Sequence, residues 1–176
     1  PYLPVFPYTV YEGIYKMRSF LCSSILLFSV QITLGQSPSD STDWKQFRGN
    51  NRDAISPDTN LLKKWPVTGP KLLWKTEKLG GGFSSTSIVA DKIFTMGDIE
   101  AEKSSFVLGL DRVSGKILWQ TMVGKTGGNY SSTRCTPCFS DGKVYALGQF
   151  GDLVCLNAAD GKEVWRKNFN KDFGGK

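Results

Sequence analysis

Short stretches in which apolar and polar residues alternate follow one another along the chain from about residue 72 onward. Alternation with a period of two is typical of half-buried β-strands, and turn-forming residues separate the stretches. The pattern predicts a first set of strands at residues 72–76, 86–90, 92–96, 106–111 and 116–122. It predicts a second set at residues 136–140, 143–147, 153–156 and 162–169. We therefore expect an all-β protein, with tight hairpins at Asp141-Gly142 and Asp91-Lys92.

An eleven-residue motif occurs twice, at residues 109–119 (GLDRVSGKILW) and 155–165 (CLNAADGKEVW). Its tryptophans, Trp119 and Trp165, lie 46 residues apart, and Trp74 lies 45 residues before Trp119. A period in the mid-forties built from short strands is typical of β-propeller blades. The sequence thus predicts a β-propeller of four-stranded antiparallel blades, of which about two to two and a half lie in this sequence.

The motif combines a tight turn with a large aromatic ring. Short polar side chains accept hydrogen bonds from backbone N–H groups in turns, and glycine adopts a positive φ without steric cost. The predicted turn residues are Asp111, Ser114 and Gly115 in the first copy and Asn157, Asp160 and Gly161 in the second. The tryptophan that follows falls on a strand, where burial of its ring stabilises by roughly 4–5 kcal/mol as an upper estimate. We expect Trp74, Trp119 and Trp165 to pack between neighbouring blades.

Charge and composition argue against several classes of function. The net charge is +6, but no run of basic residues exceeds two, whereas a nucleic-acid-binding surface concentrates its cations. Nucleic acid is therefore not expected as a partner. The sequence has no histidine, so the commonest general base and metal ligand is missing from this stretch. No catalytic residue and no metal-ligand set is predicted.

The N-terminal part of the chain predicts export. Met17-Arg18 supplies a basic start, residues 20–30 form an apolar run, and residues 33–35 offer small side chains for a signal peptidase. We interpret residues 1–16 as a non-native upstream extension and residues 17–35 as a signal peptide. The mature protein is then expected in the periplasm, in the cell envelope or outside the cell. The apolar run is short for a membrane span, so membrane association would require an uncleaved signal or a partner.

The remaining sequence divides into two predicted regions. Residues 36–68 are polar and rich in turn formers, which predicts an extended arm. Trp44 and Phe47 would pin this arm to the first blade, and an exposed recognition patch of Trp, Phe and Arg is the alternative. Residues 69–176 are expected to form a partial propeller with repeat units at 69–122 and 123–170 and to continue into further blades.

The cysteines allow more than one interpretation. Cys135 and Cys138 form a C-x-x-C motif, but the predicted strand–turn–strand context lacks the helix that lowers a thiol pKa in redox proteins. In an exported protein these two residues could instead form a disulfide. Cys138 and Cys155 lie on strands two positions apart, roughly 10 Å, which is too far for a bridge. Both are expected to be small buried residues.

The two motif copies resemble the tryptophan-docking motif of pyrroloquinoline-quinone-like (PQQ-like, quinoprotein alcohol dehydrogenase-like) propeller repeats of exported bacterial proteins, Ala-x-Asp-x-x-Thr-Gly-x-x-x-Trp. The first copy matches at Asp111, Gly115 and Trp119, and the second matches at Gly161 and Trp165. The substituted positions are Gly109 and Ser114 in the first copy, and Cys155, Asn157 and Asp160 in the second.

The resemblance implies one of two functions. The first is a non-catalytic scaffold that binds or assembles other proteins of the cell envelope. The second is a quinoprotein dehydrogenase that oxidises an alcohol or sugar with PQQ and calcium. Such an enzyme requires an adjacent cysteine pair, a set of calcium ligands and a catalytic aspartate, and none of these can be placed on this sequence. We therefore favour the scaffold; the residues of an enzyme would have to lie in further C-terminal blades.

Overall fold

The computed structural model describes residues 43–128 and 132–175. They belong to one compact unit, Ser37–Lys176. The predicted extension at 1–16 and signal peptide at 17–35 lie outside the described residues, as does the start of the arm. The described chain forms two four-stranded antiparallel sheets in succession, and in each sheet the strands are paired in chain order. The predicted all-β class and the four-stranded antiparallel blade are confirmed.

The elements follow the chain in two equivalent series. The first sheet contains β1 (Ser87–Val89), β2 (Lys92–Ile99), β3 (Ser104–Asp111) and β4 (Ile117–Lys125). The second sheet contains β5 (Cys138–Ser140), β6 (Lys143–Leu147), β7 (Asp152–Asn157) and β8 (Glu163–Asn168). One turn of 3-10 helix (Glu100–Glu102) joins β2 to β3, and a short helix α1 (Phe169–Phe173) follows β8.

The turns follow local sequence chemistry. Asp141 and Gly142 connect β5 to β6 with φ values of 48° and 72°, the left-handed pair that suits the twist of a two-residue hairpin. The β1–β2 turn lies at Ala90-Asp91 rather than at the predicted Asp91-Lys92. Ala90 there adopts a φ of 50°, which costs an alanine more than it would cost a glycine.

The main core lies between the two sheets. Phe94 of β2 is fully buried and stacks on Phe139 of β5, with ring centroids 6.2 Å apart and planes 8° from parallel. Fully buried side chains from both sheets complete this core: Val107, Val123, Val144, Val154 and Leu156. On the other face of β3, Phe106, Leu108 and Leu110 form a second buried cluster. Both faces of β3 are therefore buried, so the first sheet is covered on both sides at this strand.

Two sequence predictions in the N-terminal half are wrong. Residues 72–76 form no strand, and Leu72 and Leu73 are exposed because no described strand pairs with this extended segment. Phe47 does not pin the arm, since 64 % of its surface is exposed. The arm is attached by the backbone of Trp44 instead, which exchanges two hydrogen bonds with Ile88 of β1 (N···O 2.7 and 2.9 Å).

The inter-sheet core predicts how two leucine substitutions differ. Leu156→Ala removes a fully buried side chain and leaves a cavity, so it should lower the free energy of unfolding by about 2–5 kcal/mol. Leu73→Ala alters a side chain that is 81 % exposed and should change the same quantity by no more than about 0.5 kcal/mol. Equilibrium urea denaturation of the purified protein measures both. Equal losses for the two variants would contradict this description of the core.

Candidate functional site: the interface between the sheets

Each copy of the repeated motif forms the turn between the third and fourth strands of its sheet. The N–H of Gly115 donates to the carbonyl of Asp111 (2.9 Å), and the N–H of Gly161 donates to the carbonyl of Asn157 (2.8 Å). Gly115 and Gly161 have φ values of +72° and +70°, in the left-handed region that favours glycine. The two turns therefore share one backbone geometry although their polar side chains differ.

The acidic side chains of the motif stabilise these turns. One carboxylate oxygen of Asp111 accepts from both the hydroxyl (2.6 Å) and the N–H (2.7 Å) of Ser114. These hydrogen bonds, that from the hydroxyl first, lower the pKa of Asp111 below its usual range. In the second copy, the pKa of Asp160 is lowered mainly by the backbone N–H of Lys162, which lies 3.1 Å from the carboxylate. Both groups are held as carboxylates inside their own turns.

Trp119 connects the first sheet to the motif turn of the second. Its indole N–H donates to the carbonyl of Ala158 (3.2 Å), and its ring lies so close to Gly161 that a Cβ there would be 2.5 Å from a ring carbon. Two residues later, the hydroxyl of Thr121 donates to the carbonyl of Gly161 (2.7 Å). The Trp119 ring also packs on Phe94, with centroids 5.8 Å apart. One turn thus receives two hydrogen bonds and a ring contact.

Trp74 makes the equivalent contacts with the motif turn of the first sheet. Its indole N–H donates to the carbonyl of Arg112 (3.1 Å), and a Cβ on Gly115 would lie 2.4 Å from its ring. The hydroxyl of Thr76 donates to the carbonyl of Gly115 (2.5 Å). Neither threonine was among the predicted site residues, although a Trp-x-Thr pattern at residues 74–76 and 119–121 marks both of them.

Trp165 differs from the other two tryptophans. It is 39 % exposed and packs on Tyr145 of its own sheet, with centroids 6.1 Å apart. Residue 167 is lysine, whereas the residues two positions after Trp74 and Trp119 are threonines. Within the described residues Trp165 contacts no motif turn, so its packing between blades stays a prediction.

A buried carboxylate joins the sheets at another point, and the sequence analysis did not identify it. Asp98, at the end of β2, is 8 % exposed. It accepts hydrogen bonds from the hydroxyls of Ser105 (2.6 Å) and Thr126 (2.5 Å) and from the N–H of Thr133 (3.0 Å), which precedes β5. Because both oxygens of this buried carboxylate accept hydrogen bonds, we interpret Asp98 as a structural residue that links the two sheets. No local sequence signal distinguishes it from the acids of turns.

The cysteines are free thiols at Cys135, Cys138 and Cys155. Burial raises the pKa of Cys135, and the N–H of Leu147 lies 3.4 Å from its sulfur. A raised pKa disfavours the thiolate that redox or nucleophilic chemistry requires. Cys138 and Cys155 lie on either side of Tyr145 in the strand register, two strands apart as expected. The Cys135–Cys138 disulfide stays a prediction.

Within residues 43–128 and 132–175, no three His, Cys, Asp or Glu side chains come together in a way that could hold a metal ion. The carboxylates of Asp98, Asp111 and Asp160 accept hydrogen bonds from neighbouring backbone or hydroxyl groups. The same part of the chain contains no helix of the length and apolarity needed to cross a membrane.

Residues 103–176 match a family model described as outer membrane protein assembly factor BamB. This match supports the predicted resemblance to PQQ-like propeller repeats. The matched region contains both motif turns together with Trp119 and Trp165.

Two curated relatives carry the same name as that model. An outer membrane protein assembly factor BamB from Shewanella oneidensis is 31 % identical over 101 residues, which are 57 % of this chain and 25 % of the relative. Its counterpart from Moranella endobia is 29 % identical over 109 residues, 59 % of this chain and 26 % of the relative. The chain thus spans about a quarter of the length of these relatives. The crystal structure of BamB from Moraxella catarrhalis aligns with a TM-score of 0.42 at 24 % identity, over 55 % of this chain and 26 % of that one.

A pair of glycine substitutions tests the contact with Trp119. Gly161→Ala and Gly142→Ala both place a Cβ at a left-handed residue, with φ values of +70° and +72°. Only at position 161 does the Cβ meet the tryptophan ring; at position 142 nothing lies within 4 Å. Gly142→Ala should therefore lower the free energy of unfolding by about 1 kcal/mol, and Gly161→Ala should lower it by about 1–3 kcal/mol more than that. Urea denaturation measures both losses, and equal values would refute the close approach.

A titration tests the origin of the low pKa of Asp111. Ser114→Ala removes the hydroxyl donor, so the pKa of Asp111 should rise toward its usual value, while that of Asp160 should stay unchanged. The carboxylate is favoured in the folded state; its contribution to stability is therefore present above the unfolded pKa and disappears as the pH falls through the folded pKa. Carbon-13 NMR of the side-chain carboxyls follows both residues in one sample. If the pKa of Asp111 stays unchanged in this variant, the Ser114 hydroxyl is not the cause of its low value.

Proposed function

We propose that this protein is an exported, non-catalytic scaffold of the cell envelope that binds or assembles other envelope proteins. The observation that carries the proposal is the match of residues 103–176 to the model named for an outer membrane protein assembly factor, together with two relatives of that name. On this proposal residues 17–35 are the signal peptide, residues 36–68 the arm and residues 69–176 part of the propeller.

The chemistry of the described side chains supports the same conclusion. Asp98, Asp111 and Asp160 are held by hydrogen bonds that build turns and the joint between the sheets. Burial makes the Cys135 thiol a poor nucleophile by raising its pKa. Because these carboxylates stabilise turns and the contact between the sheets, we interpret the described chain as a rigid scaffold built from repeats. Rigid elements of this kind hold interaction surfaces in place without chemistry of their own.

An activity measurement separates the scaffold from the dehydrogenase. The full-length protein, incubated with PQQ and calcium, should reduce an artificial electron acceptor no faster in the presence of alcohols or sugars than in their absence. A purified quinoprotein alcohol dehydrogenase treated in parallel shows that the cofactor and acceptor are competent. Turnover that depends on both quinone and substrate would overturn the proposal.

A second readout addresses the assembly role directly. In the bacterium that encodes the protein, deletion of its gene should lower the amount of outer membrane proteins in quantitative mass spectrometry of isolated membranes. The full-length gene should restore them, and the Leu73→Ala variant should restore them equally because that residue is exposed. Unchanged membrane composition after deletion would argue against the scaffold even if no enzyme activity is found.

A further inference from the structure

The arm contacts the edge strands of both sheets, β1 and β5, through backbone hydrogen bonds. Besides the two hydrogen bonds between Trp44 and Ile88, the carbonyl of Lys45 accepts from the N–H of Phe139 on β5 (2.8 Å). A carboxylate oxygen of Asp43 accepts from the N–H of Ala90 (2.9 Å). The arm thus crosses from the first sheet to the second.

The arm is also held by its own side chains. The amide group of Asn50 accepts from the N–H of Lys45 (3.0 Å) and donates to the carbonyl of Asp43 (3.0 Å). The side-chain amide of Gln46 donates to the carbonyl of Asn50 (3.1 Å). Gly49 lies against the Trp44 ring, where a Cβ would come within 2.9 Å. These bonds fix the loop that follows the bridge to β1.

A cavity of about 480 Å³ lies between this loop and β5, the edge strand of the second sheet. Phe139 and Cys138 of β5 lie on one side of it, and Lys45 and Arg52 of the arm contribute two cations. Among the described residues, no acidic side chain lines it. The volume falls in the range of small-molecule sites, which combine an apolar surface with a few polar groups.

Arg52 is an exposed residue of the arm that lines this cavity. Its Nε donates to the side-chain oxygen of Gln46 (3.2 Å), and its two terminal nitrogens have no hydrogen-bond partner among the described residues. Its backbone is left-handed, with a φ of 60°. Arg48 and Ala54 of the same loop share this conformation, with φ values of 64° and 62°. The hydroxyl of Ser140, also on the lining, has no hydrogen-bond partner in the described part of the chain either.

We propose that this cavity is a binding site for a small organic acid, whose carboxylate is held by the Arg52 guanidinium and the Ser140 hydroxyl. The planar guanidinium binds a carboxylate through two parallel hydrogen bonds, and the Phe139 side accommodates an apolar body. A carboxylate fits better than a phosphate because the other cation, Lys45, already lies 4.0 Å from the carboxylate of Asp43. The site is independent of the scaffold function proposed above.

Benzoate, benzamide and phenyl phosphate are suitable probes, because they share one apolar ring and differ in the head group. Titrated into the purified full-length protein, benzoate should bind saturably and at least tenfold more tightly than benzamide, with phenyl phosphate weaker than benzoate. The amide signals of Phe139 and Ser140 in nitrogen-15 NMR spectra should shift with benzoate. Equal binding of benzoate and benzamide, or stronger binding of phenyl phosphate, would overturn the assignment.

Two substitutions and a control locate the site. Arg52→Gln should weaken benzoate binding at least tenfold, and Arg52→Lys should weaken it several-fold because the charge remains but the paired donors are lost. Arg134→Gln is the matched control, since this exposed arginine lies over the ring of Phe83 and does not line the cavity. The NMR spectra of the free variants show whether the fold is retained. Benzoate binding that survives Arg52→Gln would refute the proposal.

Discussion

The contact between a tryptophan on one sheet and a glycine turn on the next is the interaction on which the rest of this structure depends. A sheet that is buried on both faces needs a neighbour, and the neighbour has to be held at a fixed angle and distance. Trp119 does this by covering Gly161 while its N–H is satisfied by the carbonyl of Ala158. The ring supplies apolar area, and the hydrogen bond supplies direction. Trp74 repeats the arrangement on Gly115.

Glycine is required at these turns for two separate reasons. The positive φ of Gly161 is unfavourable for other residues, and the Trp119 ring occupies the space of any Cβ. Gly109, which is paired with Trp119 in the strand register, is needed for the second reason alone, because a Cβ there would lie 2.3 Å from the ring. The second sheet has Cys155 in the matching place opposite Trp165, which is partly exposed. The size of the residue opposite the tryptophan therefore differs between the two repeats.

Much of this fold could be predicted from the sequence, because alternation, Asp-Gly turns and a repeat of fixed length are local signals. The strands of both sheets follow from them to within a few residues, apart from 72–76, whose alternation has no partner strand in the described chain. The contacts that join the sheets could be predicted only in part. Asp98 has an ordinary local sequence, and its role depends on groups brought near by folding. Thr121, in contrast, lies in a Trp-x-Thr pattern that also occurs at Trp74. The same holds for Arg52, whose cavity exists only because the arm crosses two sheets.

The strand order within each sheet, which follows the chain without a crossover, has a consequence for how the molecule forms. Every pairing inside a sheet joins neighbouring hairpin strands, so a sheet can assemble as soon as its own stretch has left the ribosome. The arm behaves differently. Trp44 can pair once Ile88 is available, but Lys45 has to wait for Phe139, when most of the second sheet is still to come. The first piece of the described chain to be synthesised thus completes its bonding only after all four strands of the first sheet have been made, and the cavity beside it is created at that step.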